Sequence, residues 1–549
     1  MMKVSTKTPR SSGTAVVIGA GVAGLATSAL LARDGWQVTV LEKNTDVGGR
    51  AGSLEISGFP GFRWDTGPSW YLMPEAFDHF FALFGACTSD YLDLVELTPG
   101  YRVFSGTHDA VDVPTGREEA IALFESIEPG AGAKLGNYLD SAADAYDIAI
   151  DRFLYNNFST LGPLLHRDVL TRAGRLFSLL TRSLQKYVNS QFSSPVLRQI
   201  LTYPAVFLSS RPTTTPSMYH LMSHTDLVQG VKYPIGGFTA VVNALHQLAL
   251  ENGVEFQLDS EVISINTASS RGNTSATGVS LLHNRKVQNL DADLVVSAGD
   301  LHHTENNLLP RELRTYPERY WSNRNPGIGA VLILLGVKGE LPQLDHHNLF
   351  FSEDWTDDFA VVFDGPQLTR PHNASNSIYV SKPSTSEDGV APAGYENLFV
   401  LIPTKASSSI GHGDAYMQSA SASVETIASH AINQIATQAG IPDLTDRIVV
   451  KRTIGPADFE HRYHSWVGSA LGPAHTLRQS AFLRGRNSSR KVNNLFYSGA
   501  TTVPGVGIPM CLISAENIIK RLHADTSAGP LPEPLPPKTT PSQKTSYDH

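Results

Sequence analysis

Short apolar runs closed by glycine alternate along this chain with stretches of helical period. Residues 15–18 (AVVI) are apolar and rich in β-branched side chains, as in a strand buried on both faces. Residues 25–33 have helix-forming composition, and Asp34-Gly35 ends them. Gln37–Leu41 predicts a second strand that closes on Glu42. The same reading predicts helices over 74–84, 116–125 and 238–249, and two strands within 101–113. Strands follow at 254–258, 261–265, 291–300 and 329–337, with more strand in 348–363 and 379–403. A long helix runs from about Val424 to Ala439. A strand at 495–498 leads into a helix at 508–522, with Pro509 in its first turn. Strand-then-helix units predict an α/β chain whose parallel sheet is left and re-entered.

Residues 153–211 differ: they hold seven basic residues and one acid, Asp168. Within 168–188, at about 100° per residue, Val169, Leu170, Ala173, Leu176, Phe177, Leu180, Leu184, Tyr187 and Val188 share one arc. Arg172, Arg175, Arg182 and Lys186 occupy another sector. A basic amphipathic helix of this form either packs on its own domain or lies on an anionic membrane surface.

The chain has 549 residues, 41% hydrophobic and 17% charged, enough for a large globular core. Its net charge of -9 argues against a bulk preference for nucleic acid. Two cysteines, Cys87 and Cys511, imply neither a disulfide framework nor a zinc set, which fits a reducing cytoplasm. The uncharged run 15–32 after a basic start resembles a signal peptide, but its glycine spacing assigns it to the core. Residues 1–13 read as a loose arm, and the proline-rich 526–549 as a disordered tail without activity.

The chemistry begins at Gly19, Gly21 and Gly24. The first glycine allows a tight turn, the second lets backbone approach a pyrophosphate, and the third lets helix and strand pack closely. The helix dipole then favours the phosphates. Glu42 stands where a carboxylate meets an adenosine ribose. Gly48-Gly49-Arg50 with Ser53 resembles the extension of this fingerprint in two-dinucleotide-binding flavoproteins. That predicts FAD, on a Rossmann-type α/β domain. Residues 58–69 (GFPGFRWDTGPS) fit either a surface hairpin or a loop beside the flavin.

Three blocks then resemble the bacterial and fungal phytoene desaturases, carotenoid desaturases of the flavin amine oxidase-like superfamily. They are the N-terminal fingerprint, RWDTGPSWYLMPE, and YSGATTVPGVGIPMCLISA near the C-terminus; YPIGG resembles the central block. Val503 and Val506 depart from the usual histidine and glycine. The resemblance implies cofactor contacts from Gly19, Gly21, Gly24, Glu42, Lys43, Gly49, Arg50, Gly67, Pro68, Ser69 and Val262. It adds Gly499, Gly507, Ile508, Pro509 and Met510. FAD-binding parts at 14–73, 232–300 and 491–525 enclose a helical, membrane-associated region at 74–231 and a discontinuous sheet-plus-helices substrate domain at 301–490.

Implied function is desaturation of a lipid-soluble, phytoene-like polyene. A hydride passes to flavin N5 and a proton to a base or water; a quinone or dioxygen takes the electrons. The implied setting is cytoplasmic, peripheral to the membrane through residues 168–188. No catalytic residue stands out. The family's acid and arginine find only a loose match in Asp168 and Arg172, and no metal-ligand spacing appears. His302-His303 reads as surface loop. A carotenoid isomerase or ketolase, an amine oxidase and a non-catalytic prenyl-chain binder are the rivals.

Overall fold

The computed structural model describes residues 13–106, 108–160, 173–368, 370 and 372–535. Its organising layer is a five-stranded parallel sheet. The order is Leu495–Tyr497, Leu294–Ser297, Thr14–Ile18, Gln37–Leu41, Glu255–Gln257. Five strands from four distant stretches of sequence thus join one sheet, as the repeated apolar runs predicted. Helices Val22–Arg33, Gly237–Glu251 and Ile508–Leu522 share one apolar core against it. The chain's first and last helices therefore touch. Thr27 Oγ1 donates to Ser498 Oγ at 3.0 Å.

A seven-stranded sheet forms the second layer. The order is Ile448–Ile454, Ile328–Lys338, Tyr395–Lys405, Ile378–Ser381, His347–Phe351, Tyr101–Ser105, His108–Val113. Residues 101–113 thus belong to the sheet built from 328–454, although the sequence places them in a separate region. Ile328–Lys338 is buried along almost its whole length, so it has no polar face to alternate with. Residues 348–363 are only half strand: Trp355–Phe363 is helix. Asp354 caps it, its Oδ1 accepting the N–H of Thr356 at 2.9 Å.

The basic helix read across 168–188 is not one helix in its described part. Ala173–Thr181 and Leu184–Asn189 are separate helices. Between them, Ser183 is extended and its hydroxyl caps the second. The apolar arc also divides. Leu176, Leu184 and Val188 are buried, whereas Phe177 is 69% exposed. Arg175 bonds Asp144 and Ser141 of a neighbouring helix, so part of the cationic face is used internally. Asp168 and Arg172 lie outside the described residues.

Residues 526–535 are packed rather than loose. Lys520, fully buried, donates to the carbonyls of Tyr155, Ser527 and Gly529 at 2.8, 2.8 and 2.6 Å. Glu516 accepts the N–H of Leu531, and Leu535 donates to Leu83 O. A buried ammonium needs such acceptors. Truncation after Thr526 removes two of them, and we expect it to cost about 3 kcal/mol. Calorimetry of the truncated protein checks this; an unchanged midpoint would refute it.

Candidate functional site

The glycine loop after the first strand combines tight packing with one open face. A Cβ on Gly24 would lie 1.9 Å from Gly19 O, so helix and loop touch with no room for a side chain. A Cβ on Gly21 would meet nothing nearer than Gly48 O at 4.0 Å, and Gly21 lines a cavity. The helix that starts at Val22 carries no side-chain cap. Its first amides are therefore left for a ligand, where the dipole favours phosphate.

Glu42 ends the second strand on the same cavity wall. Its Oε2 accepts the N–H of Ala20 at 2.7 Å, and its Oε1 accepts that of Asn44 at 2.8 Å. Burial raises its pKa, and these donors oppose the rise. Oε1 also accepts from Asn44 Nδ2 at 3.0 Å, whereas Oε2 keeps a lone pair for a hydroxyl. Lys43 lines the wall beside it and donates to His461 O.

The RWDTGPS segment turns out to be a hairpin strand running into a clamp beside the cavity. Ser53–Glu55 pairs with Arg63–Asp65. Trp64 Nε1 donates to Leu335 O at 3.1 Å, tying the hairpin to the second sheet. Asp65 accepts from Phe238 N at 2.6 Å and Thr239 Oγ1 at 3.0 Å, capping helix Gly237–Glu251. Burial lifts its carboxyl to about 6. Thr66 donates twice to Gly52 O, and Gly67 packs with its Cβ position 1.9 Å from Arg50 O. Pro68, Ser69 and Trp70 are thereby delivered to the cavity wall.

The helix Ile508–Leu522 also begins at the cavity, uncapped by any side chain, with Pro509 in its first turn. The loop before it is braced by His475. Val506 N–H donates to His475 Nε2 at 3.1 Å, which puts the ring proton on Nδ1, 3.0 Å from Tyr219 Oη. Burial keeps this imidazole neutral. His475→Leu removes the acceptor, and we expect flavin affinity to fall about tenfold in reconstitution titrations. Unchanged affinity would show that the loop holds itself.

Every predicted cofactor residue except Gly24 lines one continuous cavity, and Gly24 packs directly beneath it. Its volume is about 500 Å3. That lies within the roughly 300–1,000 Å3 of ordinary ligand sites. Beyond Trp70 the wall is mostly apolar, with Tyr203, Phe207, Leu332, Phe351 and Phe399 among its residues. The sequence-based reading missed this wall and His475. It also misplaced His303, which is not surface loop. Asp300 caps the helix Leu301–Asn307, and His303 lines the cavity, stacked on His464 with centroids 3.9 Å apart.

Open pyrophosphate loop, ribose-side carboxylate and uncapped final helix fit a dinucleotide-bound flavin, and the fold and site define a flavin-dependent oxidoreductase. A model of the flavin containing amine oxidoreductase family matches residues 22–518. The chain is 40% identical to a carotenoid 3,4-desaturase of Haloarcula japonica over 509 residues, 93% of this chain and 98% of that protein. It is 29% identical to a 4,4'-diapophytoene desaturase of Staphylococcus aureus over 518 residues, 93% and 99% of the two chains. Among solved structures, putrescine oxidase bound to putrescine superposes with a TM-score of 0.57 at 13% identity, covering 93% and 99%. Cyclohexylamine oxidase from Brevibacterium oxydans gives 0.53 at 14%, covering 93% and 99%; both show the fold alone. The chain belongs to the flavin-containing amine oxidoreductase family, on the branch that holds these carotenoid desaturases.

Proposed function

We propose that this protein is an FAD-dependent desaturase of acyclic carotenoids. The observation that carries the proposal is the continuity of the cavity, which runs from the dinucleotide loops into an aromatic and aliphatic wall. FAD, rather than a mononucleotide, is supported by the lining that extends from Glu42 and Val262 to Met510.

The flavin, when bound, accepts a hydride from a C–H bond beside an existing double bond. The protein's part is binding and orientation. Gly21 and Gly49 admit the phosphates, and Glu42 meets the ribose. The uncapped start of Ile508–Leu522 places positive partial charge at the cavity. The apolar wall excludes water and aligns the chain.

An amine oxidase needs a polar, amine-accepting pocket. Here Asp358 is the charged residue on the far wall, and its oxygens are taken by Arg370, Ser375, Asn376 N and Ser377 N. A second reading concerns the bond attacked. The relative at 40% is called a carotenoid 3,4-desaturase, and that at 29% a diapophytoene desaturase. This difference favours desaturation at the 3,4 bond of a carotenoid over the phytoene-to-lycopene steps.

The proposal includes cytoplasmic, peripheral membrane association. Phe177 and Leu180 are exposed on one short helix, and Phe482 and Leu483 on a turn. Ser217 bonds Leu179 O and Tyr219 bonds Ser480, so one segment joins the two patches. A quinone or dioxygen reoxidises the flavin. Anaerobic addition of phytoene or lycopene in liposomes should bleach the flavin, and product spectra then tell the two bonds apart. A flavin-loaded protein that neither polyene bleaches would overturn the proposal.

A further inference from the structure

Trp70 leads out of the flavin-side loop into a cage of rings. Its centroid lies 5.1 Å from Tyr101, 5.9 Å from Tyr203 and 5.3 Å from Phe207. His347 stacks on it at 4.9 Å. Trp70, Tyr203, Phe207 and Tyr379 line the cavity. Behind Tyr203 sits Asp226, on the turn His224–Val228 whose Thr225 also lines the cavity. Asp226 Oδ2 accepts the hydroxyls of Tyr203 at 3.2 Å and Tyr101 at 3.1 Å. Its Oδ1 is buried with no hydrogen-bond partner.

A buried carboxylate held by two phenols, with one oxygen unmatched, is a costly arrangement for packing alone. We propose that Tyr203 is the catalytic residue that removes the proton during desaturation, with Asp226 as the positioning residue and proton sink behind it. The assignment rests on the desaturase reading above. A flavin held by Gly21, Gly49 and Glu42 would supply the hydride acceptor, and the substrate would be left as an allylic cation. The C–H bond on the neighbouring carbon then breaks, and its electron pair becomes the new C=C. That proton passes to Tyr203 Oη as the phenol's own proton passes to Asp226 Oδ2, and Asp226 later releases it to water. The ring faces of the cage stabilise the cation until then.

The titratable groups facing Asp226 are Tyr101 and Tyr203; His224, two residues away in the chain, lies with its ring against Tyr146. Burial pushes both phenols well up, so they stay neutral. Burial also moves the Asp226 carboxyl from 3.8 to about 7. The relay needs the ionised form, so turnover should rise with pH through that range and fail below it. The stability term has the opposite sense. Protonation of Asp226 favours the fold at low pH, and that contribution is lost as pH rises to about 7.

The test uses Asp226→Asn and Tyr203→Phe in the full-length holoprotein with a polyene in liposomes. We expect both variants to keep flavin content and to lose roughly 100-fold in kcat. Asp226→Asn should also lose the acidic limb of the rate profile. Infrared difference spectra of the apoprotein should show a carboxyl band titrating near 7 that vanishes in Asp226→Asn. An acidic limb that persists in Asp226→Asn, or a Tyr203→Phe rate within threefold of the parent, overturns the assignment. If Asp226→Asn does not fold, Tyr203→Phe decides alone. A parent protein that desaturates nothing removes the underlying reading, whereas an active parent with unaffected variants removes only this one.

Discussion

Gly24→Ala should yield protein without bound flavin. The added Cβ would sit 1.9 Å from Gly19 O and 3.0 Å from Gly19 C, both backbone atoms. No side-chain rotation relieves that. The loop must shift, yet it is pinned from both sides: Gly19 N donates to Leu41 O and Gly48 N to Ala20 O, each at 2.8 Å. A displaced loop would no longer aim its amides into the cavity. We expect flavin affinity to fall at least about 100-fold, which is nearly 3 kcal/mol. Overpacking adds a stability loss of about 1–3 kcal/mol. The flavin-to-protein ratio after purification and the thermal midpoint measure both. A yellow, fully loaded Gly24→Ala protein would show that the loop is not the phosphate site.

Ala330→Trp should do the reverse, keeping the flavin and losing turnover. Ala330 lies on the buried strand Ile328–Lys338, paired with Pro403, and lines the far part of the cavity. Leu332 is on the same face, and Val331 points into the other core. An indole at 330 would fill space that the proposed polyene substrate needs. Product formation should drop at least about 100-fold, while flavin content and its reduction by dithionite stay as in the parent. Normal turnover would mean that substrate enters by another route. Together the two variants separate the two halves of the cavity.

The nucleotide half was legible because its constraints are local. Gly24 is required by an oxygen five residues away, and Glu42 reaches Ala20 from the end of the adjoining strand. The final helix Ile508–Leu522 starts where Pro509 and the glycines before it predict. The apolar half was not legible in the same way. Asp226 meets Tyr101 across 125 positions, and Trp64 meets Leu335 across 271. No periodicity spans such intervals. The wheel over 168–188 failed for a related reason. Ser183 is free to break the helix because Leu184 N and Ser217 N find partners in Thr215 O and Arg182 O instead. Tertiary hydrogen bonds there outweigh a helical pattern that the residues alone support.

By itself the sequence determined a strand-turn-helix with room for a pyrophosphate, the strands and helices that return to it, and the closing helix. Each depends on sterics and periodicity within about 30 residues. Only the tertiary structure decided that residues 101–113 join the second sheet. It alone placed Lys520 as the anchor of residues 526–535, and set Tyr203 and Asp226 behind Trp70. Those placements follow from burying charge and apolar surface among distant segments, which only the packed chain brings within bonding distance.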